Sequence, residues 1–165
     1  MGEILSAYLM PHPPIIIPEV GKGEERRVQS TIEAMEACAK HIKGEQPDTI
    51  IVITPHGPMF SNAIAVMVMP RMAGDFARFG AASVRMTFEN DVELALAIMD
   101  SAERSDIPCI GIDVNVASEY GISTALDWGV LVPLYFVTKQ YSDFRLVHIT
   151  YAALSYEALY AFGKV

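Results

Sequence analysis

Two histidines stand in nearly the same frame. Met10-Pro11-His12-Pro13-Pro14 and Thr54-Pro55-His56-Gly57-Pro58 each place an imidazole just after a short apolar run. Residues 4–9 and 49–53 read as strands, and the proline after each removes the backbone donor that a longer ladder would need. If the two strands are parallel neighbours in an α/β sheet, both imidazoles leave it at the carboxyl edge, where open α/β sheets bind ligands. Two neutral imidazoles meeting there are half of a site for a divalent transition metal. The other two histidines read differently. His41 falls in the last turn of a helix, where a cation at the surface complements the dipole. His148 alternates within a strand as a buried, hydrogen-bonded side chain.

A metal site of this kind needs a third protein donor, commonly a carboxylate, with coordination positions left open. Glu19 and Asp127 are the candidates by position in loops, and neither has a spacing signature. Glu24, Glu25, Asp91 and Glu93 are better explained as first-turn helix charges. Asp127 also reads as the cap of a following helix. Trp128, the single tryptophan, reads as a half-buried anchor. The chain has no glycine-rich phosphate loop, no GxSxG elbow and no HExxH pair.

The elements that must position these residues alternate along the chain. Residues 24–43 read as a helix, with Val28, Ile32, Met35, Ala39 and Ile42 on one face and Gly44 as a left-handed stop. Residues 63–69 and 83–88 read as strands joined by a loop over 71–82. Asn90 to Glu93 reads as an N-cap for a helix whose apolar face is Leu94, Ala95, Ile98, Met99 and Ala102. A short buried strand at 108–112, a loop, a helix at 127–140 containing Pro133, a strand at 144–149 and a helix at 155–162 complete the order. This alternation predicts an α/β fold with a parallel or mixed sheet covered on both faces. The proline-stiffened connection Pro11–Gly23, with Ile15 to Ile17 at its centre, reads as a lid or wall of the site.

Composition bounds the function. The 165 residues suit one domain, and the 52% hydrophobic content suits a packed core. Twenty acidic against twelve basic residues give a net charge of −8, which excludes a nucleic-acid backbone as the natural partner. No apolar run is long enough for a membrane span. Cys38 and Cys109 are isolated and form no CxxC, so neither a zinc knuckle nor a disulfide framework is expected. A reducing, cytoplasmic compartment is expected, and the acidic N-terminus does not read as a secretory leader.

Five stretches together resemble the class III (LigB-type) extradiol ring-cleavage dioxygenases, in the branch paired with AmmeMemoRadiSam-system domains. They are PHPPIIIPEVGKGEE at 11–25, TPHGP at 54–58, GDFARFG at 74–80, FEND at 88–91 and LDWGVLVPLYF at 126–136. The resemblance covers nearly the whole chain. It implies a single LigB-like domain over residues 1–165, shortened at the C-terminus relative to the family. The fold it implies is a three-layer α/β sandwich with a mainly parallel mixed sheet of the phosphorylase/hydrolase type. It further implies a mononuclear non-haem metal, Fe(II) in working members with Zn(II) the other ion to consider, held by two histidines and a glutamate. By position the histidines are His12 and His56. The family's glutamate lies further along a longer domain, which leaves Glu19, Asp127 or a partner subunit for that role. The family's acid/base histidine stands in an Asp-His-Gly motif, and here that motif reads Asp127-Trp128-Gly129. An indole N–H donates a hydrogen bond but does not shuttle protons near neutral pH.

Three functions follow. The first is oxidative opening of a catecholic ring with O2. The second is a non-catalytic metal-binding or interaction role on the same scaffold, as in Memo-like proteins, favoured by Trp128. The third is a zinc hydrolase, since two imidazoles and a carboxylate also activate water. A homo-oligomer is expected as well, with Leu154, Leu159 and Phe162 on an apolar face that needs cover.

Overall fold

The structure, a computed structural model, describes residues 2–165. An extended N-terminal segment leads into a 3-10 turn at Pro14–Ile16, a single helical turn α1 (Pro18–Gly21) and a second 3-10 turn at Glu24–Val28. Then follow α2 (Gln29–Glu45), β1 (Thr49–Thr54), β2 (Ile64–Met67), β3 (Arg71–Phe76), β4 (Ala81–Glu89) and α3 (Val92–Arg104). The chain continues through β5 (Cys109–Ile112), α4 (Val114–Tyr120), α5 (Trp128–Thr138), β6 (Arg145–Thr150) and α6 (Tyr156–Phe162).

The main sheet has the order β1-β6-β2-β5. β1 runs parallel to β6 and β2 parallel to β5, while β2 and β6 are antiparallel, so the sheet is mixed as expected. Its side chains alternate between two cores. Ala65, Met67 and Leu146 face α2 and α5 in the larger one. Ile64, Val66, Val147 and Ile149 face α3 and α6 in the smaller one. These are the three layers. Helix α5 is apolar all round, with Gly129 to Val137 buried without a break, and it tolerates Pro133 because its burial outweighs one missing donor.

Several expectations need correction. Residues 4–9 form no strand, although side chains alternate along them: Ser6, Tyr8 and Met10 are half-buried against the body, while Leu5 and Leu9 face outward. Their polar ties run to α2 rather than to a neighbouring strand, through Ser6 to Glu45 and Tyr8 to His41. The two histidines therefore do not come from neighbouring strands. Helix α2 passes through Gly44 and stops at Gln46, which itself adopts the left-handed conformation at φ 51°. The stretch 71–82 is no loop: β3 and β4 pair as an antiparallel hairpin, a small second sheet. α4 also forms where a loop was expected, capped by Asp113, whose carboxylate accepts from the N–H of Asn115 and Val116. The connection Pro11–Gly23 is an anchor, since Ile16 and Ile17 are fully buried in the larger core.

The expected apolar face on α6 is also closed. Phe162 is buried, and Leu154 and Leu159 pack with it over Val147 and Ile149. Apolar side chains left exposed include Ile4, Leu5 and Leu9 of the N-terminal segment and Ile51 and Ile53 of β1. β1 is an edge strand, and the face bearing these two isoleucines lies beyond the reach of α3 and α6.

Candidate metal centre

His56 stands two residues beyond β1, at the carboxyl edge of the sheet. The turn that carries it is fixed from inside. The Thr54 side-chain oxygen, 1% exposed, accepts the backbone N–H of His56 at 3.3 Å. The same hydroxyl donates to Asp127 Oδ1 at 2.8 Å. Gly57 is required by close approach: a Cβ there would collide with Thr150 Oγ1 and stand 3.2 Å from the His148 ring. His12 arrives by a different route, on the extended segment held down by Ile16 and Ile17.

The two rings meet. His12 Nε2 and His56 Nε2 are 3.0 Å apart, with ring centroids at 4.9 Å in an edge-to-face arrangement. Free of metal, one ring donates its N–H to the other. Two nitrogens bound at right angles to one ion, each about 2.1 Å from it, are also about 3.0 Å apart. The donor set therefore fits one divalent transition metal as far as two imidazoles can. Partial desolvation first, and the neighbouring His12 second, push the His56 pKa below its ordinary value, against an opposing pull from Asp127. A lowered pKa keeps the Nε2 lone pair free near neutral pH.

Among the described residues, no third histidine, cysteine, aspartate or glutamate joins them in a group able to hold an ion. Glu19 lies on α1, where it accepts a hydrogen bond from Tyr135 Oη at 2.9 Å. Desolvation and this carboxylate push the Tyr135 pKa well up, so the phenol keeps its proton and the tie between α1 and α5 persists. Asp127 is the N-cap of α5, accepting from Gly129 N at 2.7 Å, as its sequence position predicts. Its second oxygen, Oδ2, stands 3.2 Å from His148 Nε2, although at an angle too poor for a hydrogen bond. Burial alone would raise the Asp127 pKa, but His148, the Thr54 hydroxyl and the Gly129 N–H together hold it below the usual range. His148 is completely buried, as expected, but the expected hydrogen bond is not made: neither ring nitrogen has a partner among the described residues. His41 is at the surface beside Tyr8.

Trp128 lines the pair. Its indole stacks on His56 with centroids 4.1 Å apart and planes 25° from parallel. Phe79 meets the indole edge-on at 5.7 Å, and the Arg78 guanidinium lies 5.1 Å from the ring centroid. Both come from the 3-10 turn Ala77–Phe79 that links β3 to β4. Sequence reasoning missed them with the hairpin itself. The available signal was Asp75, whose carboxylate accepts from Ala77 N, followed by Gly80 at φ 77°. The arrangement offers two imidazole donors, an aromatic wall and a guanidinium on that wall.

The family model for the catalytic LigB subunit of aromatic ring-opening dioxygenases matches residues 6–165. Protein CA_C1420 of Clostridium acetobutylicum is 45% identical to this chain over 156 residues. That alignment covers 94% of the chain and 33% of the clostridial protein, so the chain spans about a third of that relative's length. With the family match running from the N-terminal segment through α6, the chain belongs to the LigB family.

Proposed function

We propose that His12 and His56 are the protein ligands of one divalent metal ion, Fe(II) or Zn(II), and that the site takes catecholic aromatic rings for oxidative opening with O2. The observation that carries this reading is the 3.0 Å approach of the two Nε2 atoms at the carboxyl edge of the sheet. A divalent ion held by these two imidazoles would supply Lewis acidity. The chain supplies the rest. The depressed pKa of His56 keeps its donor available near neutral pH. The Trp128 and Phe79 rings, close to perpendicular, form an apolar aromatic corner beside the histidine pair. The indole N–H is a fixed donor for a ring oxygen and holds its proton throughout.

One observation favours a second reading, metal binding without ring cleavage. The position of the family's acid/base histidine is Trp128, and its ring lies flat on a proposed ligand. Oxygen uptake with catechols, measured on protein loaded anaerobically with Fe(II), separates the two. The first reading expects uptake that His12→Ala abolishes. The second expects stoichiometric metal binding with no uptake by the native chain and uptake gained in Trp128→His. Absence of Fe(II) and Zn(II) binding at micromolar metal would end both.

A further inference from the structure

The cluster beneath the histidine pair is costly. Thr54, Asp127 and His148 come from the end of β1, the cap of α5 and the middle of β6, and all three are buried. The neighbours of His148 on its own strand are Leu146, Val147 and Ile149. An apolar side chain in that position would leave no unpartnered imidazole nitrogen. Replacing buried charged or polar pairs by apolar groups of similar volume is commonly neutral or stabilising. Serine would cap α5 without burying a carboxylate, as Ser155 does for α6. Stability alone therefore does not account for the cluster.

Its contacts converge on His56. The Thr54 hydroxyl accepts the His56 backbone N–H and donates to Asp127. Asp127 caps the helix whose first residue, Trp128, stacks on the His56 ring. The Nε2 edge of His148 stands beside Asp127 Oδ2 and fills the space that a Cβ at Gly57 would need. The ring therefore braces two independent supports of His56, the turn that carries it and the indole that flanks it.

We propose that His148, acting through Asp127 and Thr54, is a positioning residue for the His12–His56 pair, fixing the His56 turn and the Trp128 stack and so setting how tightly an ion binds. The metal part of this rests on the proposed function; the part concerning the stack does not. The test compares the native chain with His148→Phe, His148→Gln and Thr54→Val by thermal unfolding, by Trp128 emission without metal and by calorimetric Zn(II) titration. Loss of support behind a metal ligand costs roughly 10- to 100-fold in affinity. His148→Phe is expected to unfold no earlier than the native chain, to shift the Trp128 emission, and to weaken Zn(II) binding by that factor. His148→Gln keeps a polar N–H group beside Asp127 and is expected to recover part of the loss. Native emission and native affinity in both His148→Phe and Thr54→Val would overturn the proposal. If His148→Phe fails to fold, Thr54→Val alone carries the same decision. If the native chain binds no Zn(II), the metal reading fails by itself. The emission of the metal-free variants then decides: a shift sustains the positioning role and no shift overturns it.

Discussion

His12 and His56 share a sequence frame, yet the structure supports them in opposite ways. His56 follows the edge strand β1 and is backed by a buried polar cluster whose hydrogen bonds run from Thr54 to Asp127 and on to the cap of α5. His12 rides on an extended segment held by two buried isoleucines and by side-chain ties from Ser6 and Tyr8 to α2. The first histidine is placed by the sheet and the second by an anchored arm. A shared motif specifies what chemistry two residues can do, while the scaffold behind each decides how firmly they are held.

The largest effect should come from the rings themselves. His12→Ala and His56→Ala are each expected to abolish Zn(II) binding at micromolar metal, read by calorimetry. On the arm side, Ile17 is fully buried, so Ile17→Ala should cost about 2–5 kcal/mol of stability in denaturant unfolding. The comparison sharpens if it also weakens metal binding more than an equally destabilising change in the smaller core, such as Val66→Ala.

On the sheet side, Asp127→Ala removes the α5 cap and strands a buried imidazole. A cost of roughly 1–3 kcal/mol is expected from the lost cap and the unpaired polar groups. Acid should act on the same side. The pKa values of His56 and Asp127 both lie below their ordinary values of 6.5 and 3.8, so in each window the unfolded chain binds the proton first. Stability of the metal-free protein should therefore fall as pH drops below 6.5 toward the lowered His56 value. It should fall again below 3.8, and this second decline should be shallower in Asp127→Asn. The smallest effect is expected at the tie between α1 and α5. Tyr135→Phe frees Glu19 and should cost about 1 kcal/mol, with metal affinity unchanged.

What was legible in the sequence follows from the range of the signals. The histidine pair could be read because each ring carries its own local frame of prolines after an apolar run. Helix α5 was legible through its Asp127 cap and apolar length, and β6 and α6 from their apolar residues at 144–149 and 155–162. The hairpin was hidden because Gly74 and Asp75 lower the strand propensity of β3, whose partner strand supplies what local preference lacks. Helix α4 buries only Ala117, so it shows no apolar stripe despite the Asp113 cap and Gly121 stop. The strand reading of 4–9 failed in the other direction: alternation was present, but the segment's polar partners are on α2. Thr54 stands in the His56 frame, but nothing local shows its bonding role, which exists only once β1, α5 and β6 meet.

The most direct test of the account is the emission of Trp128 during a Co(II) titration, since this single tryptophan stacks on His56 at 4.1 Å. The account predicts saturable quenching with one ion per chain, abolished in His12→Ala although His12 makes no stack with the indole. Quenching that persists undiminished in His12→Ala, or none in the native chain, would contradict the claim that the two imidazoles share an ion.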